Sequence, residues 1–451
     1  MIRIASAQGF WGDWPQAPGL QVRSGPIDYL VFDYLAEVTM SILQKQKRRS
    51  PEKGYATDFC DVMEDLLPDL LERKVRVIAN AGGVNPLACA REVLARAARV
   101  VPGREVRVGV VLGDDVLDRV DSLDLTPMEP GGPTLADIRH RMISANVYIG
   151  YECIVEALRQ GCDIVVCGRV TDTAITLAPI VHHFSVPATD LDALATGIVA
   201  GHVLECGAQS SGGNFLARRL PVEDMVRIGF PIAEVRDPHH VVITKHDSLG
   251  GEVSMATVKE QLLYEIGDPA TYITPDVTVD FSSIQVSEDG PGRVMLSGIK
   301  GRSAPEKLKV SATYQDGWII SGQLTYTWPD AEGKARAAGE LVRRRCQEMG
   351  LNLTHFRVET VGASACHAGI DAPDARGGEV TLRVCARSAS EEDLEALGRE
   401  IVPLVLTGPP GATGFAGGRP KPREVLAYWP GLVPRAQVTP RVEILTSNGA
   451  R

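Results

Sequence analysis

Five side chains with chemical capability fall within one short run, "HVLECGAQSSGGN" (202–214): His202, Glu205, Cys206, Gln209 and Asn214. The small apolar lead-in "ATGIVAG" (195–201) predicts a buried helix over 191–206, which would set His202 and Glu205 at i and i+3 on one face. An imidazole and a carboxylate so placed can move protons or serve as two ligands for a divalent cation. The plainer alternative is a glutamate that caps and a histidine that packs. The glycines that follow, Gly213 among them, let backbone N–H groups approach a ligand. Gln209, Ser211 and Asn214 add neutral donors suited to a carbonyl or a phosphate. A neighbouring histidine could activate Cys206, although free cysteines more often serve as small buried apolar residues.

Three further clusters share this character. In "CGRVTDTA" (167–174), Arg169, Thr171 and Asp172 fall where a strand gives way to a helix. Helix N-termini attract anions, and the arginine adds a bidentate fork; Asp172 is otherwise an N-cap. In "NAGGVNP" (80–86), Asn80, Gly82, Gly83 and Asn85 offer donors and close backbone approach. In "ITKH" (243–246), Lys245 suits a phosphate or carboxylate and His246 acid–base work, unless both are solvated hairpin residues. The catalytic candidates are thus Glu205, His202, Asp172 and His246. No Walker A, G-x-G-x-x-G or H-E-x-x-H spacing is present. Oxygen-rich ligands suit magnesium or manganese, and His202, Glu205, Asp172 and Asp13 could converge on one cation, but nothing in their spacing compels it.

These clusters must be positioned by the elements around them. "IRIASA" (2–7), the start of "DYLVFDYLAEV" near Tyr29, "VRVIANAGG" (75–83), "VRVGVVLGDD" (106–115) and "CDIVVCG" (162–168) read as buried strands. Helical patterns lie between them, including "YATDFCDVMEDLLPDLLERK" and "PLACAREVLARAARV". The expectation is an α/β fold with a mostly parallel sheet flanked by helices, its ligand beyond the carboxyl ends of the strands. Residues 1–230 form this domain, 231–316 a β-rich connecting region, and 317–451 a C-terminal α+β ferredoxin-like domain. That last domain holds a Gly/Pro-rich loop at 407–422, either a lid or a long surface connection.

The totals bound the function. The 451 residues, 44% hydrophobic and 23% charged, suit a multi-domain globular protein. A net charge of −10 disfavours nucleic acid or an anionic membrane as partner. Nine scattered cysteines without a C-x-x-C pair read as reduced thiols. With no signal-like N-terminus and no long apolar run, a cytoplasmic protein is expected.

Ordered segments carry a family resemblance: "GPIDYLVFDYLAEVTM" (25–40), "VIANAGGVNP" (77–86), "SANVYIG" (144–150), "VVCGRVTDTA" (165–174), "GHVLECGAQSSGGNF" (201–215) and "VKEQLLYEIGDPATYITPDV" (258–277). The chain resembles the acyclic terpene utilisation AtuA family from residue 1 to about 440. The resemblance implies a place in the catabolism of branched or terpenoid acyl chains, which proceeds through coenzyme A thioesters, and supplies no assigned catalytic residues. Many relatives carry or accompany a small ferredoxin-fold subunit. The longer members' "RSGDKG"-like segment is not found here, so a separately encoded small partner is the expectation, along with a homo-oligomer. The favoured activity is a hydro-lyase acting on an enoyl-type thioester or carboxylate, with acyl-CoA as substrate and no certain cofactor. A carbon–carbon lyase or isomerase, or a non-catalytic, partner-dependent subunit, remains the alternative.

Overall fold

The computed structural model describes residues 1–363, 365, 378–414 and 417–447. Five strands form the centre of a ten-stranded sheet: β1 (Ile2–Gln8), β2 (Tyr29–Phe32), β3 (Arg76–Ala79), β4 (Arg107–Leu112) and β5 (Ile164–Cys167). They run parallel in the order β1, β2, β3, β5, β4. Every residue of β2 and β5 is buried, as expected of parallel strands covered on both faces by helices. Helix Thr57–Arg73 turns Phe59, Met63, Leu66, Leu67 and Leu70 inward. Helix Pro86–Val100 does the same with Cys89, Ala90, Val93 and Leu94, and has a proline in its first turn, where the missing N–H costs nothing.

The expectation of a mostly parallel sheet is corrected. Five of the sheet's nine pairings are antiparallel. Beyond β1 the sheet continues through Ile232–Asp237, His240–Thr244, Val294–Ser297 and Gln285–Glu288. These hairpins come from the stretch expected as a β-rich connecting region, and nothing local tells a hairpin which sheet to extend.

The chain divides into unit 1, Met1–Thr313 with Tyr428–Arg451, and unit 2, Tyr314–Ala427. The C-terminal ferredoxin-like domain expected over 317–451 is likewise corrected. Its supposed last strand, Arg441–Thr446, pairs antiparallel with β4 in the sheet of unit 1. Unit 2 places His355–Val361 against Glu379–Ser388, and the latter against 318–327. Glu379–Ser388 alternates buried and less buried residues, the pattern of a half-covered strand. With helices Ala331–Glu348 and Glu391–Ile401 it encloses a core of Leu324, Val342, Leu382, Val384, Leu394 and Leu397. Loop residues 415–416 and Cys366 lie outside the described residues. Among the described residues, no helix is long and apolar enough to cross a membrane.

Candidate active site

A cavity of about 870 Å³ lies in unit 1. Much of its wall follows directly from the parallel strands: Gly9 and Phe10 after β1, Asp33, Leu35, Ala36 and Glu37 after β2, and Arg169, Thr171 and Asp172 after β5. The parallel half of the sheet therefore obeys the rule that ligand sites lie beyond the carboxyl ends of strands. A register shift between Ser6 and Gln8 ends the regular pairing of β1 just before Gly9.

Glu205, Cys206 and Gln209 enter from helix Leu191–Glu205 and the turn after it. This helix is buried from Ala193 to Leu204, and close approach to its neighbour requires glycine at two points. A Cβ on Gly197 would strike Leu177, and one on Gly201 would lie 2.7 Å from Thr173 Cα. A helix apolar on all sides is a core helix; its C-terminal turn alone brings polar groups to the cavity.

His202 is 1% exposed and stands behind Glu205, its Nδ1 2.9 Å from Glu205 Oε1. Its Nε2 lies 3.0 Å from the Gln261 carbonyl oxygen, which can only accept, so Nε2 carries a proton. The carboxylate 2.9 Å from Nδ1 favours a second proton on the imidazole by charge. Burial opposes a charged imidazole, but Glu205 and the Gln261 carbonyl outweigh it, and His202 is held above the usual histidine range. The rings of Tyr272 and Phe281 stand edge-on to it, at 5.5 and 5.3 Å. Gln261 Nε2 donates to the His202 carbonyl at 3.0 Å, fixing the pair from the neighbouring helix.

Arg169, 2% exposed, organises the other side-chain network. Its Nη1 donates to the Leu35 carbonyl at 2.6 Å and to Asp172 Oδ1 at 2.7 Å, and its Nη2 to the Tyr148 hydroxyl at 2.7 Å. Tyr148 in turn donates to Glu37 Oε1 at 2.7 Å. Burial works against the charge of Glu37, yet Tyr148, Arg169 and Lys309 hold its carboxyl below the usual range. Burial and the nearby carboxylates Glu205 and Glu37 raise Asp172 to about 6, against the pull of Arg169. Burial and Asp172 push Asp33 well above the usual carboxylate range.

Apolar surface completes the wall: Leu35, Met128, Ile273, Pro275, Pro305, Leu308 and Leu432. Lys307 and Lys309, two apart on one strand, also face it.

Of the residues singled out in the sequence, Glu205, Asp172, Arg169, Thr171 and Gln209 line this cavity. His202 and Asn80 stand directly behind it, the latter donating to Asp33 Oδ1 at 2.6 Å. Asn214 Nδ2 donates to Gln209 Oε1 at 3.0 Å. The others have local work. Asn85 ties down the Pro51 and Lys53 carbonyls. Gly82 packs against the Cys167 carbonyl, and Gly83 has φ +52° beside Leu43. Ser211 Oγ donates to the Gly229 carbonyl at 2.5 Å, while Gly213 packs against Ala208. Lys245 Nζ donates to the Leu249 carbonyl at 2.6 Å. Buried His246 has Nε2 2.9 Å from the Gln21 carbonyl oxygen, and burial lowers its pKa. Asp13 accepts the N–H groups of Gly9 and Trp14 in its own turn. Burial and Glu205 push the Cys206 thiol up to about 12, the reverse of an activated nucleophile. Among the described residues, no group of three His, Cys, Asp or Glu is arranged to hold a metal ion.

Sequence reasoning missed Asp33, Glu37, Tyr148, Tyr272 and Lys309. The signal for the first two was present: "YLVFDYLAE" is another buried strand followed by acidic residues, as the ends of β1 and β5 are followed by polar ones. Tyr148 and Lys309 carry no such signal.

The geometry defines a protein built on a mixed sheet, with a cavity lined by titratable side chains beyond the ends of its parallel strands. Residues 2–444 match the model of the acyclic terpene utilisation family protein AtuA. The chain belongs to that family. No curated protein and no solved structure matches it.

Proposed function

We propose that this protein is a hydro-lyase that adds water to, or removes it from, an enoyl-type thioester or carboxylate with a branched apolar chain. The observation that carries this reading is Glu205 at the cavity wall with the buried imidazole of His202 behind it. Such an arrangement suits a base that water can reach, with a counter-charge at its back. The apolar wall from Leu35 to Leu308 suits a hydrocarbon chain, in keeping with a family named for acyclic terpene use.

In the hydration direction Glu205 takes a proton from water as the oxygen attacks the β-carbon. Negative charge then develops on the carbonyl oxygen, and Lys307 or Lys309 of the wall supplies a cation to face it. Arg169 has both η nitrogens committed within the protein, so its part is to hold Asp172, Tyr148 and Leu35 in register rather than to bind substrate.

The purified chain, given 3-methylbut-2-enoyl-CoA, is expected to consume the conjugated thioester, followed by its ultraviolet absorbance. Glu205→Gln should slow this by about a hundredfold or more. Equal rates in the two proteins would overturn the reading. Turnover by the chain alone would also remove the alternative of a partner-dependent subunit.

A further inference from the structure

We infer that Asp33 is the proton donor of this site, a neutral carboxylic acid that delivers hydrogen to the substrate carbon next to the carbonyl. The inference rests on reading the cavity as a hydro-lyase site. Asp33 lines the cavity yet is only 6% exposed. Its Oδ1 accepts from Asn80 Nδ2 at 2.6 Å. Asn80 is wholly buried, and its own Oδ1 accepts the Tyr34 N–H at 2.6 Å. That second bond fixes which end of the amide faces Asp33: a donor, never an acceptor. A proton on Asp33 is therefore excluded from Oδ1 and belongs on Oδ2.

The charged groups around Asp33 settle which carboxyl keeps a proton. Asp172 and Glu205 act on it as like charges and Arg169 as an opposite one. Asp33, Asp172 and Glu205 share this wall with Glu37, whose charge Tyr148 and Lys309 support, and the crowding of like charges favours a proton on one of the other three. Glu205 has His202 at 2.9 Å, and Asp172 has Arg169 at 2.7 Å. Asp33 faces a neutral amide, and Arg169 spends its η nitrogens on Leu35, Asp172 and Tyr148. The proton stays on the carboxyl without a cation.

The step balances. Glu205 takes a proton from water, the water oxygen bonds to the β-carbon, and the electron pair of the double bond moves to the α-carbon. That carbon takes the proton of Asp33. One water has been added, Glu205 is left protonated and Asp33 ionised, and passage of one proton from Glu205 back to Asp33 through solvent restores the site. Elimination runs the same sequence in reverse.

Infrared difference spectroscopy of the wild type against Asp33→Asn reads the proton directly. The expected result is a neutral-carboxyl C=O band at neutral pH in the wild type that is lost in the variant. With 3-methylbut-2-enoyl-CoA the variant should lose about a hundredfold or more in kcat with little change in KM. Asp33→Glu keeps an acid in place and should restore the band and part of the turnover, which separates a chemical role from a folding defect. A difference spectrum without that band, or Asp33→Asn turning over near the wild-type rate while Glu205→Gln is inactive, would overturn the assignment and leave the cavity reading intact. Wild-type rates in both variants would overturn the cavity reading, and this assignment with it.

Discussion

Gly9 meets the backbone at Gly207 so closely that a Cβ on Gly9 would lie 2.8 Å from Gly207 N and 3.0 Å from the Glu205 carbonyl oxygen. The turn after β1 and the turn after the Glu205 helix are thus in direct backbone contact. Gly9→Ala must push them apart, at a cost of about 1–3 kcal/mol for overpacking. Thermal melting should show that loss. Turnover should fall further than stability accounts for, because Phe10 and Glu205 move relative to one another. A variant with wild-type melting and wild-type rate would show that the two turns are not held by this contact.

The His202–Glu205 pair makes stability depend on pH in a definite direction. His202 titrates above its ordinary range when folded, so the folded state binds its proton more tightly than the unfolded chain does. Its contribution is complete below the ordinary histidine range and disappears as pH rises through the folded value. Denaturant titrations of the wild type and His202→Gln should therefore differ most at acidic pH and converge on the alkaline side. A gap that widened with rising pH would contradict the protonated imidazole.

A second buried acid behaves in a related way. Burial and the nearby Glu152 raise Asp276 to about 8, and its Oδ1 accepts the Tyr151 N–H at 3.1 Å. Between the ordinary carboxylate range and about 8, the folded state holds a proton that the unfolded chain has released. Stability should fall across that window by up to about 1.4 kcal/mol per pH unit and level off above it. Asp276→Asn keeps the accepting oxygen and removes the titration. Its advantage over the wild type should grow with pH up to about 8; an advantage independent of pH would contradict the assignment.

Arg169 is the electrostatic hub of the wall, and its geometry is more demanding than its charge. Arg169→Met would leave the Leu35 carbonyl, the Tyr148 hydroxyl and the partly exposed Asp172 without their donor, a loss of about 1–3 kcal/mol. Arg169→Lys retains a cation but cannot reach Leu35, Asp172 and Tyr148 together. Both variants should unfold at lower urea than the wild type, with lysine intermediate. Lysine matching arginine would show that charge alone suffices.

The parallel core was readable because strands buried on both faces are continuous apolar runs, and "YLVF" and "IVVC" are such runs. The clusters after them pointed to Arg169, Asp172 and Glu205 because polar residues at strand or helix ends stand out against apolar lead-ins. The same test applied to β2 would have yielded Asp33 and Glu37. The destinations of the later strands were not readable. Arg441–Thr446 pairs with β4 across more than three hundred residues of chain, and Lys309 reaches Tyr148 from a strand far along the sequence, its Nζ 4.7 Å from the ring centre. Local pattern contains no term for such pairings. His246 and Lys245 were singled out by type alone; they do not line this cavity, and backbone carbonyls are their partners.

The measurement that bears most directly on the cavity as a site of water addition uses isotopic water. Wild-type protein incubated with 3-methylbut-2-enoyl-CoA in ¹⁸O-labelled water is expected to yield a hydroxyacyl thioester carrying one labelled oxygen, seen by mass spectrometry, while Glu205→Gln yields almost none. Unlabelled product, no product from the wild type, or equal labelling by both proteins would contradict the account.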